Sequence, residues 1–339
     1  MTQVESGAGL EKREFYRLLK GVSRSIYLSL RVLPPTLGLP LGTAYLLARA
    51  ADTCADTRLL PPPTRRAWLD RLGRCLREGS AWTEGEVPAA GATPAERELA
   101  ARLPRVIACF RRLPPGPREL VAHFLDQVTG AMRWDLDHFP PEDSGRLAAL
   151  EGEEELEEYC RLAGGTAGSL WTRLLAREGL PGWERMEEQG VAYGKGLQLI
   201  NILRDLPRDL RIGRCYLPRT ALEPLGLAPG ELLRPGTAPR LLPLHRRLVH
   251  RARELLGQGR AYLLALPRNA PRLRLATALP LAIGLETLAA LEREKEILDP
   301  LRRVKIGRPA VRRLVAGLLL RCWSHRALAR YLDRLGGRG

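Results

Sequence analysis

The chain has 339 residues, 45% of them hydrophobic but only 5% aromatic, with a formal net charge of +16. Leu, Ala and Arg dominate and β-branched or aromatic residues are few, which favours helices and argues against a sheet protein. The positive charge is nearly all arginine, lysine standing only at positions 12, 20, 195, 295 and 305. It is scattered without a run of five or six basic residues, so it suits anionic partners while excluding a nucleic-acid-binding tail.

In chain order, apolar periodicity predicts helices over 11–31, 38–56, 64–78, 94–111, 116–133, 151–177, 182–209, 240–265, 272–297 and 308–334. Breakers separate them: Pro34-Pro35, Pro61-Pro62-Pro63, the 79–93 stretch, Pro114 to Pro117, Pro140-Pro141 and the Gly/Pro-rich 224–239. No linker is long enough to separate independent domains, so one all-α domain with a core over about 11–334 is expected. The longest apolar stretch, 273–291, contains Pro280 and Glu286 and reads as a buried helix rather than a membrane span. The N-terminus has no apolar h-region, which argues against a secretion signal. Cysteines at 54, 75, 109, 160, 215 and 322 have no metal-binding spacing. That pattern fits a reduced cytoplasmic compartment.

Two acidic patterns carry chemistry. In Tyr45-Leu-Leu-Ala-Arg49-Ala-Ala-Asp52-Thr-Cys-Ala-Asp56 the aspartates are four apart, one helical turn on one face. The run around them is apolar enough to be core, and core-facing carboxylates need a neutralising partner; a hard divalent cation with oxygen ligands is one. Taken alone, the pair also fits a solvated helix face. In the second pattern Gln198 precedes Asn201, Asp205 and Asp209, which step by four along an apolar helix with Arg204 beside them. Two acidic helices with attendant arginines fit Mg²⁺ ions bridging a diphosphate. Two salt-bridge networks are the other reading.

With these motifs go others in a fixed order: Ser23-Arg24-Ser25, then Tyr159-Cys160 with Ala163-Gly164-Gly165 and Gly168, then Gly213-Arg214 and Cys215-Tyr216-Leu217-Pro218. Together they resemble the squalene/phytoene synthase family of head-to-head prenyl synthases over nearly the whole chain. The resemblance implies a single isoprenoid-synthase helical bundle with a central cavity. It implies that Asp52, Asp56, Asn201, Asp205 and Asp209 hold Mg²⁺, and that Ser23, Arg24, Ser25, Arg49, Gln198, Arg204 and Arg214 bind the diphosphates of two farnesyl diphosphates. Tyr45 and Tyr159 would relay a proton or stabilise cations through their rings. Gly164, Gly165 and Gly168 would admit either an isoprenoid chain or a close helix neighbour.

The segment Arg303-Val304-Lys305-Ile306-Gly307-Arg308 resembles the basic stretch with which squalene-forming members contact NADPH; Lys305 and Arg308 are its carriers here, with Asn201 and Arg204 also assigned to cofactor binding. The implied reaction is condensation to presqualene diphosphate followed by NADPH-dependent reduction to squalene. The alternatives are a synthase without the reductive step or a non-catalytic relative. Departures from the family pattern are Ala55, Ile26, Ala276 and Pro207, the last predicting a bend that bears on Asp209. A monomer is expected, with no nucleic acid. Since the product is water-insoluble, peripheral contact with the inner face of a membrane is expected too, 308–334 being an amphipathic basic segment.

Overall fold

Proline sets many of the helix starts, where its fixed φ suits the first turn and its missing N–H costs nothing. The computed structural model describes residues 9–23, 26–57, 60–80, 82, 91–302 and 304–337. Over these the chain is almost entirely helical, and it divides into two compact units, 1–137 with 173–181, and 138–172 with 182–339.

The first unit contains α1 (Lys12–Val22), α2 (Ile26–Arg31), α3 (Pro35–Ala55), α4 (Pro62–Glu78), α5 (Pro94–Ala101), α6 (Leu103–Arg111) and nearly all of α7 (Pro115–His138). Helix α3 is its hub, packed by α1, α4, α5 and α6. Its inner face, Leu46, Leu47, Ala50, Ala51 and Cys54, is shut against water. Gly42 lets α1 lie close, since a Cβ there would stand 2.7 Å from the Phe15 ring. At the other end the buried Arg65 donates to the Ala55 carbonyl at 2.8 Å, placing a cation where the helix exposes unpaired C=O groups.

The second unit runs from α8 (Glu153–Cys160) through a π-helical turn (Arg161–Gly165) into α9 (Thr166–Arg177), whose last residues count with the first unit. It continues with α10 (Trp183–Arg211), α11 (Arg219–Leu222), α12 (Ala238–Ala265), α13 (Pro271–Arg293), α14 (Arg308–Leu319) and α15 (His325–Leu335). Helix α10 is the hub, packed by the π turn, α12 and α13. The π turn and α9 approach it with no side chain between: a Cβ on Gly164 would meet the Gly194 carbonyl at 2.5 Å, and one on Gly168 the Gly190 carbonyl at 1.8 Å. On the α12 side Gly196 and Gly259 admit Leu255 and Tyr193. Two residues of parallel pairing, Ala148–Ala149 with Arg214–Cys215, tie the chain after α10 back to the segment before α8. Gly213 turns into this pair at φ +83°, a left-handed conformation that favours glycine.

Four helices expected as single rods are broken: 11–31 after Val22, 94–111 at Arg102, 151–177 by the π turn, and 308–334 over 320–324. Helix α13, long and apolar enough to cross a membrane, has 61% of its most apolar window buried and serves as a core helix.

Candidate functional site

On α3, the stretch 45–56 turns one flank to the core and the other to its polar residues. The acids do not face the core, contrary to the expectation from the apolar run. The Asp52 side chain is 38% exposed and Asp56, the residue that ends the helix, is exposed. Ala51, Cys54 and Ala55 take the inner positions instead. Arg49, one turn before Asp52, donates to Asp52 Oδ2 at 2.5 Å and also bonds Glu96. Burial works against the guanidinium charge, but the two carboxylates outweigh it and raise its pKa. Glu96 in turn belongs to the capping box of α5: its carboxylate accepts from the Thr93 N–H at 2.8 Å and its own N–H reaches the Thr93 hydroxyl. Burial would raise the Glu96 pKa, yet the Thr93 hydrogen bonds and Arg49 bring it below the usual carboxylate value.

Tyr45 donates to the Val22 carbonyl at 3.1 Å, at the end of α1. Ser23 follows that carbonyl. It is 3% exposed, accepts from the Tyr27 N–H at 2.8 Å to start α2, and also hydrogen-bonds Tyr45. Within the first unit Ser23 and Tyr45 thus meet, Arg49 and Asp52 are paired, and the Arg49 charge acts electrostatically on Tyr45. Arg24 and Ser25 lie outside the described residues.

In the second unit, α10 buries Leu199, Ile200, Ile202, Leu203, Leu206 and Leu210. That leaves Gln198, Asn201, Arg204, Asp205 and Asp209 on the opposite flank. Gln198 and Asn201 touch through their amides at 3.3 Å. Arg204 grips Asp205 with both Nε and Nη2, at 3.2 and 2.5 Å. Pro207 is buried inside the helix, which runs on to Arg211. The proline lies in the last turns and its ring packs inward, and the helix continues past it, so Asp209 keeps its helical register. Asp209 also acts electrostatically on Cys215, whose thiol burial has pushed up to about 12.

Arg214 is ion-paired with Glu142 at 3.0 Å, both side chains about a tenth exposed. Tyr159 meets Tyr216 ring to ring, centroids 4.7 Å apart and hydroxyls 3.3 Å apart. Phe139 meets Tyr216 edge-on, with centroids 5.0 Å apart. Lys305 and Arg308 are exposed, before and at the first residue of α14. Residues 164 and 168 face the α10 backbone, so close helix packing accounts for those glycines.

Among the described residues no three or more His, Cys, Asp or Glu side chains converge as in a closed metal centre. Mg²⁺ is commonly held by one or two carboxylates, with water and substrate phosphates filling its octahedron. The all-oxygen sets Asp52/Asp56 and Asn201/Asp205/Asp209, open to solvent on one side, fit such an ion.

The Squalene/phytoene synthase family model matches residues 19–310. The chain belongs to the squalene/phytoene synthase family. Among this family member's relatives, the bifunctional lycopene cyclase/phytoene synthase of Colletotrichum graminicola is 28% identical over 257 residues, 73% of this chain and 41% of that one. The squalene synthase of Schizosaccharomyces pombe is 24% identical over 297 residues, 87% of this chain and 63% of that one. This family member therefore spans less than two thirds of the length of either. The solved complex of TcSQS with BPH1237 matches with a TM-score of 0.78 at 22% identity, covering 96% of this chain and 92% of that one. The fold is the isoprenoid-synthase helical fold, and the family is one of prenyltransferase-type enzymes.

Glu96, Glu142 and the Phe139–Tyr216 edge contact are the parts sequence reading did not assign. The capping box Thr93-x-x-Glu96 is a readable signal, but it announces a helix start, not a partner for Arg49.

Proposed function

We propose that this chain condenses two farnesyl diphosphates head to head to presqualene diphosphate and then reduces it with NADPH to squalene. The observation that carries the condensation is the stripe Asn201–Asp205–Asp209, held in helical register on the open flank of α10 with Arg204 beside it. Asp52 and Asp56 supply a second all-oxygen pair. Bound at these acids, Mg²⁺ would withdraw charge from a departing diphosphate. The chain's own contribution is to hold and orient. Arg49 and Arg204 stand beside the acids where phosphate oxygens would arrive, and planar guanidinium suits bidentate contact with them. Loss of diphosphate from one donor leaves an allylic cation. The double bond of the second molecule attacks its C1, and loss of a proton closes the cyclopropane. The Tyr45 hydroxyl, hydrogen-bonded to Val22 and Ser23, and the Tyr159–Tyr216 pair are the groups we assign to cation stabilisation and proton transfer. Lys305 and Arg308 are exposed cations at a helix start, a setting that suits the phosphates of NADPH.

A second reading is a synthase that stops before reduction. It is favoured by Ile26, 36% exposed, and Ala276, 1% exposed, both small or aliphatic where squalene-forming members carry aromatics. Incubating the protein with farnesyl diphosphate and Mg²⁺, with and without NADPH, and identifying the products tests both. Squalene formed only with NADPH supports the leading reading. Presqualene diphosphate or a dehydrosqualene-type product under both conditions selects the second, and no turnover under either refutes both.

A further inference from the structure

The corner between α14 and α15 breaks the usual rule for large apolar side chains. Leu320 is 79% exposed, Trp323 68% and Leu319 49%, three within five residues. Neither Gly nor Pro marks this turn; it is made by Cys322 and Ser324 bonding back to Leu318 and Arg321, and Ser324 caps α15 by accepting from the Ala327 N–H. Single exposed leucines are ordinary, but a protruding Leu-Leu-x-x-Trp corner is a contact surface.

Its surroundings are predominantly cationic. From Arg308 to Leu332 the sequence has arginines at 308, 312, 313, 321, 326 and 330 and a histidine at 325, with no acid. Arg312, Arg313, Arg326 and Arg330 are exposed. Arg312 and Ala316 lie on the α14 face that leads to Leu319, Leu320 and Trp323, four and then three or four residues apart. Behind the corner the same sign continues. Arg274 on α13 is completely buried, and its Nε, Nη1 and Nη2 have no hydrogen-bond partner. His325 Nδ1 is buried and unpartnered too. The neighbours that act on His325 are Arg274, Arg268 and Arg260, all cations, and Arg260 is already paired with Asp333. Asp333 on α15 is taken up by Arg260, so a predominantly cationic patch surrounds exposed apolar side chains, and it suits an occupant that is anionic at its surface and apolar beneath.

We propose that the α14–α15 corner docks this chain on an anionic phospholipid bilayer, with Leu319, Leu320 and Trp323 in the interfacial layer and the flanking arginines on headgroup phosphates. Tryptophan favours that layer because its ring is apolar and its N–H is polar. Each arginine near an anionic surface adds attraction that falls off within a Debye length. A nucleic acid would use the arginines and leave the apolar corner in water; a second copy would cover the apolar corner and set arginines against arginines. The docking locates the membrane contact expected for an enzyme with a water-insoluble product, and rests on the proposed function only for its purpose.

The test is co-sedimentation with vesicles of phosphatidylcholine, alone or with about one third phosphatidylglycerol, for the full chain, Leu320→Ser/Trp323→Ser and Arg312→Gln/Arg313→Gln. The full chain should bind the mixed vesicles and not the neutral ones, and each double variant should bind about tenfold or more weakly. Failure of the full chain to sediment, or undiminished binding by Leu320→Ser/Trp323→Ser, overturns the proposal. So does a dimer in size-exclusion chromatography that this variant converts to monomer, or tighter binding to duplex DNA than to the mixed vesicles. Turnover of farnesyl diphosphate in detergent, expected to be unchanged in both variants, separates failure of docking from failure of the catalytic reading.

Discussion

Arg49 is shared between Asp52 on its own helix and Glu96 on α5, and Glu96 is itself fixed by the Thr93 cap. Removing the Glu96 charge by Glu96→Gln should keep the cap, since an amide oxygen still accepts, but loosen the guanidinium. Because Glu96 acts through Arg49, kcat/KM for farnesyl diphosphate should fall about tenfold, with most of the change in KM. Asp52→Asn and Asp205→Asn remove an oxygen anion itself, and each should cost about a hundredfold or more in kcat. Steady-state kinetics with circular dichroism as a fold control check all three; full activity in either aspartate variant would sink the metal assignment. The depressed pKa of Glu96 sets the sign with pH. Its charge, and the hold on Arg49, persist through the neutral range and are lost only as pH falls through its lowered value.

Helices α9 and α10 meet through glycine backbone beside the Ser169–Glu187 hydrogen bond, and that close seam has a measurable consequence. A methyl on Gly168 would fall 1.8 Å from the Gly190 carbonyl, so the backbones must separate. Gly168→Ala should lower stability by about 3 kcal/mol. Gly165→Ala, whose methyl would meet Val191 Cγ1 at 3.0 Å and the Lys195 side chain and Val191 carbonyl at 3.3 Å, should cost less, about 1 kcal/mol. Thermal unfolding of the two variants compares them directly. Helix α12 offers a pH signature. Burial, helped by Arg246, lowers the pKa of His245 from 6.5 to about 4. The unfolded chain therefore takes up this proton first, and stability from this site is complete above about pH 6.5 and lost as pH falls toward 4. The limit is about 3 kcal/mol. Between pH 7 and 4.5 the wild-type Tm should drop more steeply than that of His245→Gln. Periodicity located the helix carrying His245 and both acidic helices. It ran straight through the π turn and the 320–324 corner, because a shift of backbone hydrogen bonds from one partner to the next leaves apolar spacing intact.

At the scale of the whole molecule, what was legible was the chemistry that repeats within a helix. Asp52/Asp56 and Asn201/Asp205/Asp209 are spacings of four, and spacing survives folding. What was hidden is pairing over long separations: Glu96 with Arg49, Glu142 with Arg214, Tyr216 with Tyr159. No local signal encodes a partner 47 or 72 residues away. The open acid sets lead to a last expectation. Among the described residues no closed metal centre supports the fold, so EDTA should leave the Tm unchanged while abolishing turnover. Mg²⁺ alone meets pairs of carboxylates already engaged in part by Arg49 and Arg204 and should add little. A diphosphate alone would bring its charge up against those same acids. Supplied together, each completes the other's coordination. Mg²⁺ with a non-hydrolysable farnesyl diphosphate analogue at a hundred times its Kd should contribute about 2.7 kcal/mol, a rise of a few degrees in Tm. Differential scanning fluorimetry over the four combinations measures this. Equal shifts from the analogue with and without Mg²⁺ would show that the arginines, not the metal, hold the diphosphate.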